Sequence, residues 1–145
     1  MTNTQQGTHH RIVVGIDGSE ASSAVLEWAT RQAALTGSTL EVVITWEWPT
    51  SLGWTIPLPS DFDPAAEAGR SIEGFLATAR SSHPEVTIES SVTEGHPAPT
   101  LVEASHRADL LVVGSRGHGE FAGMLLGSVS EHCAHHAKCP VVIVH

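Results

Sequence analysis

The sequence predicts an α/β domain built on an open, doubly wound, five-stranded parallel sheet. Two observations carry this. Short apolar runs rich in β-branched residues recur along the chain, and segments of helical periodicity separate them. Read in order, the pattern is βαβ, loop, αβαβ, loop, αβ, which calls for parallel strands joined by right-handed crossovers. No internal repeat or low-complexity tract interrupts it.

Arg11 to Ile16 (RIVVGI) is almost wholly apolar and reads as a buried parallel strand that ends at the turn Asp17-Gly18-Ser19. From Glu20 to Leu35, Ala21, Ala24, Val25, Trp28 and Leu35 recur at helical spacing, and Gly37 closes the helix. Leu40 to Trp46 is the second strand. Between Glu47 and Asp63, Trp48, Pro49, Gly53, Trp54, Pro57 and Pro59 allow no helical period, so this stretch is a long loop of the kind that forms lids or binding surfaces. Pro64 opens a helix whose apolar side is Ala65, Ala68, Ile72, Phe75, Leu76 and Ala79, ending by Pro84. Val86 to Thr93 alternates apolar and polar residues, as an edge strand with one wet face does. Beyond Gly95 and two prolines, Thr100 to Arg107 is a short helix and Leu110 to Val113 the fourth strand. Gly127 to Ala137 is the last helix and Pro140 to Val144 the last strand.

With 145 residues, 41% of them hydrophobic, the chain is sized for a single domain with a real core. Residues 1–10 are expected to be a flexible polar tail and residues 11–145 the folded domain. A formal charge of −9, with Lys138 the only lysine, argues against nucleic acid, since binding a phosphate backbone needs dense Lys and Arg. An anionic ligand would therefore be held by local dipoles and a metal. The tail has no apolar signal region, and no apolar run approaches the roughly 18 residues of a membrane span, so the expectation is a soluble cytoplasmic protein. Cys133 and Cys139 suit free thiols in a reducing compartment. The ten histidines make the net charge less negative as pH falls through about 6.5.

The chemistry concentrates where Leu110-Leu-Val-Val-Gly114 runs into Ser115-Arg116-Gly117, and Gly127-Ser128-Val129-Ser130 follows after nine residues. Glycines after a strand, then a hydroxyl-rich helix start, bring backbone N–H groups close to phosphate oxygens. If the strand order is 3-2-1-4-5, strands one and four flank the reversal, and Asp17 meets Gly114 at the ligand crevice. The loop does not match the P-loop pattern, and Gly15-Ile-Asp-Gly18-Ser does not match the dinucleotide fingerprint. Phosphate contacts would rest on backbone N–H groups, the hydroxyls of Ser128 and Ser130, and Arg116 or His118. The plainer alternative is a helix cap at Gly127-Ser128.

These residues resemble a known family. Gly114-x2-Gly117-x9-Gly127-Ser128, preceded by LLVVG and followed by CPVVIV, is similar to the ATP-binding signature of the universal stress proteins. Ile12 to Ser19 resembles that family's opening strand and turn, and Gly95-x-Pro97-Ala98 the approach to its third helix. The resemblance runs from Arg11 to His145. It implies a Rossmann-like sheet of order 3-2-1-4-5, binding of an adenine nucleotide, and often a homodimer; ATP, AMP and cyclic AMP all stay open as the ligand, ATP foremost, and Mg²⁺ is the metal expected beside it. It further implies that Asp17, with Gly15 beside it, lies on the adenosine side, and that Trp46 faces adenine. Val113, Gly114, Gly117, Gly127, Ser128, Val129 and Ser130 would surround ribose and phosphates. A bulky Trp46 and the tryptophan-rich loop depart from the family's common pattern.

Other roles are open to the same residues. Asp17 is a favoured helix cap, Trp46 can close the core edge, and Arg116 can face solvent. In His132-Cys133, His135-His136 and Cys139, Cys133 and His136 share a helical face while His132 and His135 are expected to point elsewhere. That spacing matches no common zinc pattern, and a buried thiol with solvated histidines accounts for it. Val141 to Val144 is an apolar sheet edge that pairing with a symmetry mate would cover. The function expected is thus an adenine-nucleotide-binding stress or regulatory protein. The alternatives are a slow ATP hydrolase, for which His118 is the only nearby acid-base candidate, and an interaction protein acting through the tryptophan loop and the dimer edge.

Overall fold

The computed structural model describes residues 10–48, 50, 51, 54, 55, 57–116 and 126–145. The chain runs β1 (Arg11–Gly15), α1 (Ala21–Thr36), β2 (Thr39–Trp46), β3 (Thr50–Ser51), β4 (Trp54–Thr55), α2 (Pro64–Ser82), β5 (Ile88–Glu94), α3 (Pro97–Ser105), β6 (Leu110–Gly114), α4 (Ser128–His136) and β7 (Val141–Val144). The main sheet has five strands in the order β5-β2-β1-β6-β7, all pairs parallel. Counting only these strands, the order is 3-2-1-4-5, as expected.

Strand side chains alternate between faces, and the core is therefore two-sided. Ile12, Val14, Leu40, Val42 and Ile44 meet Val25, Leu26 and Ala29 of α1 and Ile72, Leu76 and Ala79 of α2. Val13, Val43, Leu111 and Val113 meet Leu101 and Ala104 of α3 and Cys133 of α4. The continuous apolar runs of β1 and β6 are explained by this, because both of their faces are covered. β5 stands at the edge and keeps Val92 39% exposed.

The helices correct the sequence in two places. The buried stripe of α1 is Ser22, Val25, Leu26, Ala29, Thr30 and Ala33, whereas Ala21 and Ala24 are exposed and Leu35 is 74% exposed. Apolar periodicity misplaced the stripe because hydroxyls occupy part of it. The Thr30 hydroxyl donates to the Leu26 carbonyl at 2.6 Å and so enters the core with its polar group satisfied. Helix α3 begins at Pro97, not Thr100, and ends at Ser105. First-turn N–H groups have no intrahelical acceptor, so Pro97 and Pro99 cost no hydrogen bond there. The expected ends elsewhere hold. Asp63 caps α2 by accepting from the Ala66 N–H at 3.1 Å, and Gly37 ends α1 in the left-handed region at φ 69°.

The expected loop after β2 contains a short antiparallel pair, with Thr50 opposite Thr55 and Ser51 opposite Trp54. Near the amino end of the sheet, Glu41 is 6% exposed. Its carboxylate meets Arg11 at 3.2 Å and Arg107 at 2.6 Å, while Arg11 also reaches Glu89 at 2.9 Å. These partners offset the desolvation of a buried charge. Residues 1–9 of the expected tail lie outside the described residues, and the His10 carbonyl accepts from the Thr39 N–H at 2.9 Å. Among the described residues no helix is long and apolar enough to cross a membrane.

Candidate functional site

From β1 the chain turns to β2 on one side, and later places β6 on the other side of β1. Loops leaving the carboxyl ends of β1 and β6 therefore diverge and leave a crevice. Its volume is about 310 Å³, at the lower end of the several hundred Å³ typical of small-molecule sites. One wall is the turn after β1 (Gly15 to Asp17, Ser19 and Ser22), the floor includes Val43, Thr45, Val113 and Leu101, and the far wall is Gly114, Arg116 and Gly127 to Ser130. A second groove of about 530 Å³ runs along the flanks of α1 and α2, between residues such as Glu27, Ser71 and Gly74. It shares no lining residue with the crevice, and none of the site residues singled out from sequence lines it.

The turn after β1 is held by linked hydrogen bonds. Asp17 Oδ1 accepts from the Ser19 N–H at 2.9 Å and from the Ser22 hydroxyl at 3.1 Å. Ser22 Oγ in turn accepts from the N–H groups of Gly18 at 3.1 Å and Asp17 at 3.4 Å. Gly18 sits at φ 81°, a conformation that L side chains rarely adopt. The carboxylate is fixed by its turn as it faces the crevice, which is more than a helix cap does.

Gly15 and Gly114 have a packing role. A Cβ on Gly15 would lie 2.6 Å from Leu101 Cδ1, so the missing side chain lets α3 close onto β1. A Cβ on Gly114 would lie 3.2 Å from Val25 Cγ2 and 3.3 Å from the Arg116 carbonyl oxygen. Beyond Gly114, the Ser115 N–H donates to the Val144 carbonyl at 2.8 Å, and the Ser115 carbonyl accepts from the Gly127 N–H at 2.6 Å. This ties the start of α4 to the ends of β6 and β7. Gly127 is the N-cap in extended conformation with no side-chain cap, and the Glu131 N–H makes the first helical bond back to it at 3.0 Å. The first turn of α4 carries the positive end of the helix dipole, and first-turn N–H groups are not used by the helix's own ladder. The Ser130 hydroxyl is 1% exposed in its residue and donates to the carbonyls of Gly127 at 2.9 Å and Ser115 at 3.3 Å. It builds the helix start from inside, and Ser128 is the exposed hydroxyl of the pair.

Of the residues singled out from sequence, the crevice gathers Gly15, Asp17, Val113, Gly114, Arg116, Gly127, Ser128, Val129 and Ser130. Gly117 and His118 lie outside the described residues. Trp46 is not in the described lining, where Thr45 stands in its place. The two-residue period explains this. Thr45 shares the parity of Val43, which faces the crevice side, while Trp46 shares that of Ile44 and Val42. The Trp46 ring instead meets Trp48 edge to face at 5.7 Å. Sequence reading missed Ser22 and Thr45. The spacing Asp17-x4-Ser22 and the alternation Val43, Thr45 were the available signals.

Beneath α4, Cys133 is fully buried and Cys139 half-buried. Loss of hydration, with the neighbouring Cys139 contributing less, pushes the Cys133 thiol up to about 11. Cys139 is raised by desolvation and by Asp109. The histidines differ from expectation, because His132 and His136 share a face with ring centroids 4.5 Å apart. They are four residues apart, which is one helical turn.

A sequence model of the universal stress protein family matches residues 8–145. A universal stress protein of Mycolicibacterium smegmatis is 31% identical over 146 residues, covering 97% of this chain and 50% of its own length. One of Mycobacterium tuberculosis is 38% identical over 141 residues, covering 92% of this chain and 47% of its own length. The chain thus spans about half the length of these curated relatives. Among solved structures, a universal stress protein in complex with cAMP has a TM-score of 0.71 at 30% identity, covering 94% of this chain and 97% of that one. A universal stress protein from Archaeoglobus fulgidus, at 20% identity, shares the fold with a TM-score of 0.72 over 94% of this chain and 98% of its own.

Proposed function

The chain belongs to the universal stress protein family, and from that premise we propose that its crevice binds an adenine mononucleotide, ATP foremost, as part of a cytoplasmic regulatory response. The observation that carries this is the convergence of two dissimilar elements. An ordered carboxylate turn after β1 and the amide-rich start of α4 line one crevice, although their sequences are separated by over a hundred residues. A nucleotide has two dissimilar ends, and each element suits one of them. Asp17 matches the hydroxyls of the adenosine part, since an ionised carboxylate only accepts hydrogen bonds. The α4 terminus matches phosphate oxygens, since a helix start offers N–H groups and a positive dipole end. The complex of a 30% identical relative with cAMP supports the adenine class.

The described lining fits Mg²⁺ in one way only. It contains a single carboxylate, Asp17, so the ion would be held by phosphate oxygens and water with Asp17 assisting. When bound it would neutralise phosphate charge, which matters in a chain of net charge −9. We also propose that the protein is a homodimer joined through the outer edge of β7, which no described strand covers.

Calorimetric titration with Mg-ATP, AMP and cyclic AMP, run beside Gly127→Trp, tests the nucleotide site. Saturable binding of at least one ligand, weakened more than tenfold by the variant, is expected. A folded, nucleotide-stripped wild type that binds none of the three would overturn the proposal.

A further inference from the structure

Helix α4 carries a second constellation on its outer side. Cys133 and Ser130 are buried against the sheet, while His132, His135 and His136 are exposed. His132 and His136 stand one turn apart with ring centroids 4.5 Å apart and ring planes tilted by 40°. Each neutral imidazole has one nitrogen with an available lone pair. Two histidines at this spacing on one helix face are the arrangement by which helices grip zinc, because the helix sets the bite of the chelate in advance.

We propose that His132 and His136 form a two-imidazole site for a borderline transition-metal cation, of the class of Zn²⁺ or Cu²⁺. Imidazole favours these ions over Mg²⁺ and Ca²⁺, which take oxygen ligands. Helix position adds to the selection. His136 is the last residue of α4, where carbonyls without intrahelical donors make the environment favourable to a cation. The Ala137 N–H donates to the Cys133 carbonyl at 2.9 Å. His135, whose ring lies 6.3 Å from that of His136, is displaced around the helix and serves as the internal control. Among the described residues no group of three His, Cys, Asp or Glu side chains gathers for a metal, so the site has two protein ligands and leaves its other positions to water. It is separate from the crevice and does not depend on nucleotide binding.

The test is calorimetric titration of the full chain, without an affinity tag, with Zn²⁺ in a non-chelating buffer, alongside His132→Gln, His136→Gln and His135→Gln. Circular dichroism checks that each variant folds, which the exposure of all three side chains favours. One saturable site per chain is expected, weakened at least tenfold by His132→Gln and by His136→Gln and less than twofold by His135→Gln. No saturable binding, binding that survives loss of His132 and His136, or equal weakening by all three variants would overturn the proposal.

Discussion

Ser22 holds together the turn that presents Asp17. One hydroxyl accepts from two backbone N–H groups and donates to the carboxylate, and the residue is 3% exposed, so water cannot readily replace it. Ser22→Ala leaves the Gly18 N–H without that acceptor and the carboxylate without one donor, a loss of about 1–3 kcal/mol. Urea unfolding should show a destabilisation in that range, and calorimetry should show ATP affinity falling about tenfold. Unchanged ATP affinity in the folded variant would separate Asp17 from the site. Glycines were legible in the sequence as a class, but their reasons were not. Gly18 serves a left-handed turn, whereas at Gly15 a Cβ would lie 2.6 Å from Leu101 Cδ1, so any larger residue would force the Leu101 side chain to move. The first follows from a local turn signal, the second from a residue on another helix.

At the scale of elements, α4 joins a polar start to an apolar middle. Cys133 is buried against Val13, Leu111 and Val113, and its thiol is raised from an ordinary value of 9.0 to about 11. The folded form therefore keeps a proton that the unfolded chain gives up first. Stability from this group is complete below pH 9 and is lost as pH rises towards 11. A shift of this size corresponds to about 2–3 kcal/mol. Urea unfolding between pH 8.5 and 11 should show the decline, and Cys133→Ala should make it shallower. Cys139, raised in the same direction, supplies the remaining slope. The chain has no tyrosine and one lysine, which keeps this range free of most other titrations. Element types and most boundaries were legible because apolar periodicity reports burial. The stripe of α1 was not, since Ser22 and Thr30 are buried by virtue of bonds that hydropathy does not register. Thr45 lines the crevice and Trp46 does not, because successive strand residues face opposite sides of the sheet and only the packed helices decide which side the crevice opens on.

For the whole molecule, the outer edge of β7 is the surface through which the proposed dimer forms. The Leu111 N–H donates to the Pro140 carbonyl and the Ser115 N–H to the Val144 carbonyl. In a parallel ladder alternate residues face opposite neighbours, so Val141 and Ile143 direct their backbone groups away from β6. Ile143→Pro removes an outward N–H while leaving the β6 ladder in place. Sedimentation analysis should find the proposed dimer in the wild type and a folded monomer in the variant. A wild-type monomer at tens of micromolar, or a dimer untouched by the proline, would rule out pairing through this edge.

The sequence by itself determined the α/β class, the number of strands in the main sheet, the positions of the glycine turns and the family, because each of these is written in local patterning or motif spacing. Tertiary structure alone decided which side chains meet. Asp17 and Ser128 line one crevice because β6 pairs with β1, and Glu41 is tolerated in the interior because Arg11 and Arg107, which lie on either side of it in sequence, both reach its carboxylate. The physical reason is that burial and pairing depend on contacts between residues far apart in sequence. Local periodicity carries the information that a strand is covered, and only the packed sheet determines by what.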